Sequence, residues 1–251
     1  MDLDFGLLLT TQGLFYVFVL TLLEIVLGID NIIFISIVTD NLEKREQRKA
    51  RNIGLTLALV IRLLLLSIVG YIMGMVEPLF TIFEVDFSGQ SLVLLLGGMF
   101  LIYKSTVEMH KSITGEQDTH VSSKKKGLSN IIIQILLIDI VFSFDSIITA
   151  IGMTNGIAQD TGGNPLIIIY TAVIISMIVM MVFVKPISDF ISARPTIKMI
   201  ALAFLVTIGV ILIAEAFGQH VPKGYIYFAM LYALIVEFMN IKMRKNGGVK
   251  E

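Results

Sequence analysis

The chain has 251 residues, 56% of them hydrophobic, and its mean hydropathy of +0.88 is too high for an ordinary soluble domain. Its net charge of −1 leaves no basic surplus for binding nucleic acid, so no nucleic-acid partner is expected. Cysteine is absent, which excludes disulfides, thiol redox chemistry and thiolate metal sites. The composition therefore indicates a membrane protein that would bind any metal ion mainly through oxygen atoms.

Seven apolar segments follow one another along the chain, each long enough to cross a bilayer as a helix. They predict an all-α, polytopic membrane protein with spans at roughly 13–38, 53–75, 91–110, 128–150, 165–184, 197–217 and 223–241. The connections between the spans are too short to hold a soluble domain. Residues 1–251 are therefore expected to form a single transmembrane domain in contact with membrane lipid, and the sequence does not predict its oligomeric state.

Basic residues are concentrated on every second connection. Of the 19 Lys and Arg residues, 17 lie in the loop 39–52, around the third and fifth connections, or in the C-terminal tail. The connections 76–90 and 151–164 contain none. Because short cytoplasmic loops are enriched in Lys and Arg, this alternation predicts an N-terminus outside and a C-terminus inside the cell. The expected location is the inner membrane of a bacterium, as a multi-pass protein.

Two spans share a polar pattern. Residues 24–33 read EIVLGIDNII and residues 139–148 read DIVFSFDSII, with five identities at a constant offset of 115. Three spans separate the copies, so they would run in opposite directions through the bilayer. This predicts a 3+3 inverted repeat, about 13–110 and about 128–217, with an extra helix at 223–241. Phe100-Leu101 and Phe204-Leu205 are a further candidate pair at a different offset. Inverted repeats are typical of secondary transporters, whose ion sites lie near the midplane.

The polar residues of these two spans are the candidate site. An ionised carboxylate near the bilayer centre costs roughly 2.5–3.5 kcal/mol on insertion scales, so several acids together imply a bound cation or bound protons. Crowded carboxylates cannot all stay ionised without a cation, which makes exchange of protons for metal an inherent property of such a site. Oxygen ligands alone favour Mg²⁺, Ca²⁺ or Mn²⁺. The candidate metal-binding residues are Glu24, Asp30, Asn31, Asp139, Asp145 and Ser146.

The spacing within each acid pair constrains the backbone. Residues six apart on a straight α-helix are separated by about 9 Å along the axis and about 120° around it. Gly28 and Ser143 lie at equivalent positions between the acids. We therefore predict that both helices are irregular there, with freed carbonyl groups as additional ligands. If both helices are straight, the four acids are expected to form two layers.

Other polar and small residues within the spans have simpler interpretations. Arg62 lies in the second span and is predicted to extend its side chain to the cytoplasmic interface. The alternative is that it pairs with a carboxylate of the site. Lys104 and Glu108 are one helical turn apart and are expected to pair. Gly97-Gly98 is predicted to allow close approach of two helices.

These motifs also carry a family resemblance. The patterns ExxxGxDN and DxxxSxDS, the segment GGMFLIYKSTVEMH at 97–110 and the run EAFGQHVPKGYIYFAMLYALIVE at 215–237 together resemble the TerC family of integral membrane proteins. The family is named for an association with tellurite resistance and is similar to the superfamily of lysine and cation exporters. Bacterial relatives are implicated in manganese export. The resemblance implies efflux of a divalent cation at Glu24, Asp30, Asn31, Asp139 and Asp145.

The resulting hypothesis is a secondary-active exporter, and not an enzyme. Its substrate would be a divalent metal ion, with Mn²⁺ first and Ca²⁺ second, and proton coupling is inferred from the crowding of the acids. A Ca²⁺/H⁺ exchanger is one alternative, because oxygen ligands do not separate Ca²⁺ from Mn²⁺. A membrane assembly or scaffold protein with a structural metal site is another. An intramembrane aspartyl protease is a third alternative, although the sequence around Asp30 reads GID where that class has GxGD.

Overall fold

Long helices form nearly all of the described structure. The computed structural model describes residues 5–40, 42–68, 75, 77–82, 85–114, 127–161, 164–219, 221–222 and 224–246. Within these residues, a short 3-10 helix at Phe5–Leu9 precedes eight α-helices, numbered here in chain order. They are α1 Thr11–Leu27, α2 Ile29–Asp40, α3 Lys44–Ser67, α4 Gly89–Thr114, α5 Leu128–Thr161, α6 Leu166–Ser192, α7 Pro195–Ala216 and α8 Gly224–Asn246.

The predicted all-α membrane architecture is confirmed. Helices α1 and α2 together form one span, Thr11–Asp40, so the described residues contain seven segments long and apolar enough to cross a membrane. The second span begins before its predicted start at 53, because α3 begins at Lys44. Residues 44–52 of the basic loop predicted at 39–52 form its first turns. Most of the predicted end of this span, residues 69–74, falls outside the described residues. The lysines at 124–126, predicted to lie in a cytoplasmic loop, fall outside the described residues.

A β-hairpin lies in the connection 76–90, for which the sequence analysis made no prediction of secondary structure. Strand β1 (Pro78–Ile82) pairs antiparallel with β2 (Val85–Ser88), with Ile82 opposite Val85. Phe80 and Phe87 stack with ring centroids 5.5 Å apart, and Phe87 also makes an edge contact with Phe217 after α7. Aromatic cross-strand pairs stabilise short hairpins. The hairpin therefore packs against the end of the sixth span.

The third and sixth spans meet at two glycines. A Cβ atom at Gly98 of α4 would lie 2.7 Å from the carbonyl oxygen of Gly209 in α7, and one at Gly209 would lie 2.9 Å from the Gly98 oxygen. Each glycine also faces the isoleucine one turn beyond the other, Ile213 and Ile102. The contact is thus reciprocal. It confirms that the Gly97-Gly98 pair allows close helix packing. The two contacting glycines are 111 residues apart in the sequence, which differs from the spacing of the candidate repeat pair Phe100 and Phe204.

The other helix contacts have the pattern that the predicted repeat requires. Helices α1 and α2 of the first span pack against α6 of the fifth, and α3 of the second span packs against α5 of the fourth. If spans 1–3 are matched in order to spans 4–6, the contact of span 1 with span 5 corresponds to the contact of span 4 with span 2. The contact of α4 with α7, which are spans 3 and 6, corresponds to itself. The arrangement agrees with an inverted repeat. The repeat and the orientation in the membrane stay predictions.

The buried face of α3 explains its position in the bundle. Buried residues recur every fourth position, at Ala50, Gly54, Ala58, Arg62 and Leu66. A Cβ atom at Gly54 would lie 3.0 Å from the Ile135 side chain of α5, so the small residues let the two helices approach closely. This packing directs Arg62 toward the centre of the bundle.

Candidate cation site within the membrane helices

The first span bends at Gly28, as predicted. Helix α1 ends at Leu27 and α2 begins at Ile29, with Gly28 at φ −84° and ψ −6° between them. Hydrogen bonds still cross the junction, because the Gly28 N–H donates to the Glu24 oxygen at 2.8 Å and the Ile32 N–H donates to the Gly28 oxygen at 3.1 Å. The interruption is a local bend and not an unwound segment. Gly28 also contacts the Met180 sulfur of α6, and a Cβ atom would clash there.

The fourth span is continuous, so the prediction of an irregularity at Ser143 is wrong. Helix α5 runs without a break from Leu128 to Thr161. The Ser143 hydroxyl donates to Asp139 Oδ2 at 3.3 Å, one turn earlier on the same helix. A serine within a helix can donate its hydroxyl hydrogen bond to an acceptor one turn earlier on the same helix. The backbone at Ser143 therefore stays helical. Of the two equivalent positions, Gly28 and Ser143, only Gly28 interrupts its helix.

Arg62 links one acid from each predicted repeat. Its Nη1 donates to Glu24 Oε2 at 2.9 Å and its Nη2 donates to Asp139 Oδ1 at 3.0 Å. Asn31 Nδ2 donates to the same Asp139 oxygen at 3.0 Å. All four side chains are buried, and we call them the arginine cluster. The prediction that Arg62 extends to the cytoplasmic interface is therefore wrong, since its face of α3 packs inward. The alternative, pairing with a site carboxylate, is what the structure contains.

The second acid of each repeat lies in a separate place. Asp30 and Asp145 line a small cavity of about 20 Å³, which has room for about one water-sized sphere. Tyr227 of α8 also lines this cavity, and its hydroxyl donates to Asp30 Oδ2 at 3.2 Å. The remaining walls are apolar, with Phe142 of α5 and Leu212 of α7 among them. We call this space the aspartate cavity.

The four acids thus form two layers. Glu24 faces Asp139 across Arg62, and Asp30 shares the aspartate cavity with Asp145. The separation follows from the helix geometry, since residues six apart on an α-helix are separated by about 9 Å along the axis. Within the described part of the chain, no three Asp, Glu or His side chains are close enough to hold one metal ion together. Binding of a single ion by all four acids stays a prediction.

Some oxygen atoms of the arginine cluster have unused hydrogen-bonding capacity. Glu24 Oε1 and Asn31 Oδ1 are buried, and neither has a hydrogen-bond partner among the described residues. The buried Ser146 hydroxyl lies near the Glu24 carboxylate but donates to the Ser143 carbonyl oxygen at 3.3 Å. Buried acceptors without partners are costly unless water or a cation satisfies them. These oxygens are therefore plausible ligands, and Ser146 lies beside them.

Comparison with known proteins identifies the family. The profile of the family described as "Integral membrane protein TerC family" matches residues 9–247. The chain belongs to the TerC family. This TerC-family chain is 48% identical over 228 residues to a UPF0053 protein of Haemophilus influenzae, with 90% of this chain and 92% of the relative covered. It is 47% identical to the UPF0053 inner membrane protein YgdQ of Escherichia coli, with the same coverage.

A longer relative shares the same region. The chain is 42% identical over 230 residues to the UPF0053 inner membrane protein YoaE of Escherichia coli and covers 42% of that protein. No solved structure matches this TerC-family chain. The family, the named relatives and the seven spans together identify a multi-pass protein of the inner membrane.

The two long segments that resemble the TerC family lie in different parts of the structure. The segment 97–110 contains the glycine contact with α7 and the ion pair of Lys104 with Glu108, confirmed at 2.9 Å and largely buried. The run 215–237 contains Tyr227, which the sequence analysis did not identify as a site residue. No local pattern distinguishes Tyr227 from the nearby Tyr225 and Tyr232, and only the packing of α8 brings it to Asp30.

Proposed function

We propose that this protein is a secondary-active transporter that exports a divalent metal cation from the cytoplasm, with Mn²⁺ as the substrate, in exchange for protons. The observation that supports the proposal is the aspartate cavity. It brings together Asp30 and Asp145, one acid from each predicted half of the protein, in the interior of the spans. Intramembrane acids are expensive and mark ion pathways by default. In transporters built from repeats, ion sites lie where the halves meet.

The distribution of charge gives the two layers different roles. In the arginine cluster, one guanidinium already compensates one of the two carboxylates, so a single negative charge is left when both acids are ionised. The aspartate cavity brings two carboxylates to one small space, and the Tyr227 hydroxyl donates to one of them. Two ionised aspartates match the charge of one divalent cation. Asp30 and Asp145 are therefore the primary ligands in the proposal, with Glu24, Asn31, Asp139 and Ser146 as a second station.

The chemistry of the ligands supports manganese. Carboxylate, amide and hydroxyl oxygens suit Mg²⁺, Ca²⁺ and Mn²⁺, and the chain offers no thiolate to favour zinc or copper. The resemblance of the motifs to manganese-exporting relatives selects Mn²⁺ among the three. Protons enter the proposal through charge balance, because two intramembrane aspartates that release a divalent ion must take up protons or leave two uncompensated charges in the membrane.

The test is uptake of Mn²⁺ into inside-out membrane vesicles that carry the full-length protein. We expect Asp30→Asn and Asp145→Asn to lower the flux at least tenfold, because each removes one of the two charges that compensate the ion. The control is Asp189→Asn, which removes an exposed carboxylate near the end of α6. A protonophore is expected to abolish the uptake that an imposed pH gradient drives. The site assignment fails if both cavity variants transport manganese normally.

The same vesicles separate the alternatives. Uptake of Ca²⁺ in place of Mn²⁺, lost in the same two variants, would replace the proposed substrate with calcium. A metal ion that binds stoichiometrically to the purified protein, without any flux in vesicles, would contradict transport and indicate a structural metal in an assembly protein.

A further inference from the structure

A second cavity lies between α3 and α6, beside the basic first turns of α3 and Lys185 of α6, and it shares no lining residue with the aspartate cavity. Its volume is about 480 Å³. Three cationic side chains line it together with polar and apolar groups: Arg48, Arg51 and Lys185, with Asn52, Ile178 and Val182. Among the described residues, no carboxylate lines this space. We call it the basic groove.

Arg51 is the most informative residue of the basic groove. Its side chain is buried, with 5% of the residue exposed, and Nη1 donates to the Ser188 hydroxyl of α6 at 2.6 Å. Within the described residues, no carboxylate lies within ion-pair distance of it. A guanidinium has five N–H donors and keeps its charge, so one serine hydroxyl leaves most of its bonding capacity unused. A buried cation without a counterion is strongly unfavourable.

The contrast with Arg62 shows what Arg51 lacks. Both arginines lie on the buried face of α3, and both are almost inaccessible. Arg62 has its two counterions within the chain, Glu24 and Asp139. Arg51 lines an open groove with two further cations, and no acid of the described chain faces it. Its counterion is therefore expected to come from outside the protein.

The walls of the basic groove indicate the chemistry of that ligand. The three cations lie at one end of the groove, with Arg48 and Arg51 in the first turns of α3 and Lys185 on α6. Beyond them the wall consists of Ile178 and Val182, which are 55% and 66% exposed on α6. An amphiphile with an anionic head and an apolar chain would satisfy both parts. Basic pockets between transmembrane helices at the cytoplasmic side bind anionic lipid headgroups, and the predicted orientation puts this groove at that side.

We propose that the basic groove binds an anionic phospholipid, with the phosphate on Arg51, Arg48 and Lys185 and an acyl chain along Ile178 and Val182. Phosphate oxygens accept charge-assisted hydrogen bonds from arginine, often two at once, which makes Arg51 the anchor. Free inorganic phosphate offers the same oxygens but has no apolar part to occupy the groove wall. The proposal is independent of the transport function, since none of these residues belongs to the arginine cluster or to the aspartate cavity.

The test uses the purified full-length protein in detergent, titrated with phosphatidylglycerol or with phosphatidylcholine, and reads the thermal unfolding midpoint and the lipid adducts in native mass spectrometry. We expect phosphatidylglycerol to bind and stabilise the protein, and phosphatidylcholine and millimolar inorganic phosphate to have little effect. Arg51→Gln is expected to weaken phosphatidylglycerol binding tenfold or more. Arg48→Gln, an exposed change that spares the fold, is expected to weaken it roughly fivefold.

The control variant is Arg45→Gln, which removes an exposed charge from the same helix outside the groove. It is expected to retain binding. Equal stabilisation by phosphatidylcholine and phosphatidylglycerol would overturn the proposal, and so would equal losses in Arg45→Gln and Arg48→Gln. Equal stabilisation by inorganic phosphate would assign the site to a free anion and overturn the lipid.

Discussion

Removal of Arg62 tests whether the arginine cluster is held together as the structure indicates. The change Arg62→Met keeps an unbranched apolar stem of similar length and deletes the guanidinium. Glu24 and Asp139 then lose the donors at 2.9 Å and 3.0 Å that compensate them. Both carboxylates stay buried, with 1% and 4% of their surfaces exposed, so water cannot replace the arginine without rearrangement of α3.

The expected loss of stability is large. Removing one partner of a buried ion pair costs about 3–5 kcal/mol, because the remaining charge is left uncompensated. For a protein of this size, each kcal/mol lowers the unfolding midpoint by about 2–4 °C, so the midpoint should fall by roughly 6–20 °C. Neutralising the acids as well removes the cause. The triple variant Arg62→Met, Glu24→Gln, Asp139→Asn is therefore expected to recover most of the loss, since uncharged replacements of a buried ionic group are often close to neutral.

The assay is thermal unfolding in detergent without anionic lipid, followed by intrinsic tyrosine fluorescence or by aggregation. Arg51→Met is the matched control, because it deletes a buried arginine from the same face of α3 that has a serine hydroxyl and no carboxylate as its described partner. We expect the control to shift the midpoint by only a few degrees. An unchanged midpoint in Arg62→Met, or a triple variant no more stable than the single one, would refute the interpretation of the cluster as a charge-compensated unit.

Two further predictions concern the contact between α4 and α7 and the ion pair within α4. Gly98→Ala should separate α4 from α7, because the new Cβ atom would lie 2.7 Å from a backbone oxygen, and overpacking of this kind costs about 1–3 kcal/mol. Gly152→Ala, where a Cβ atom meets nothing within 4 Å, should leave the unfolding midpoint unchanged or raise it, and equal effects of the two changes would contradict the close contact. Lys104→Met should lower the midpoint by several degrees, since Glu108 is buried, and adding Glu108→Gln should restore it. A second change without benefit would indicate that this pair does not compensate the charge.

The number of membrane spans could be predicted from hydropathy, because a span needs about 20 apolar residues and this signal is strong. The ends of the spans were less predictable. Helix α3 extends through the basic segment to Lys44, since Lys, Arg, Glu and Gln are good helix formers outside the membrane as well. The hairpin at 78–88 has aromatic and β-branched residues that favour strands, but its connection is too short for hydropathy to distinguish it from a loop.

The site could be predicted in its residues but not in its arrangement. The repeated acid pairs identified four carboxylates, of which Glu24, Asp30 and Asp139 are buried and Asp145 lines the aspartate cavity. That they form two layers depends on the continuity of α5 through Ser143, and serine is compatible with either a regular or an irregular helix. The position of Arg62 did have a sequence signal. It continues the series Ala50, Gly54, Ala58 at intervals of four, and small residues at that spacing mark a helix face that packs closely.

Tyr227 had no such signal, because its role depends on long-range packing. Helix α8 follows the two predicted repeats and was predicted only as an extra helix. Most of its surface is exposed, and a buried Glu237 that accepts from Thr196 at 2.5 Å joins it to α7. Contacts between elements distant in sequence cannot be read from the periodicity of either one. The hydroxyl of Tyr227 was therefore missing from the predicted site.

The guanidinium in the arginine cluster has a consequence for ion selectivity under the proposed transport cycle. The guanidinium competes with metal ions for the two carboxylates. Because it is part of the chain, its local concentration does not fall when the cell is depleted of metal. An ion that enters between Glu24 and Asp139 must displace it. A monovalent ion would only replace one positive charge with another, whereas a divalent ion would add the charge that the pair still lacks. A tethered arginine can thus set a threshold that abundant potassium and sodium do not cross.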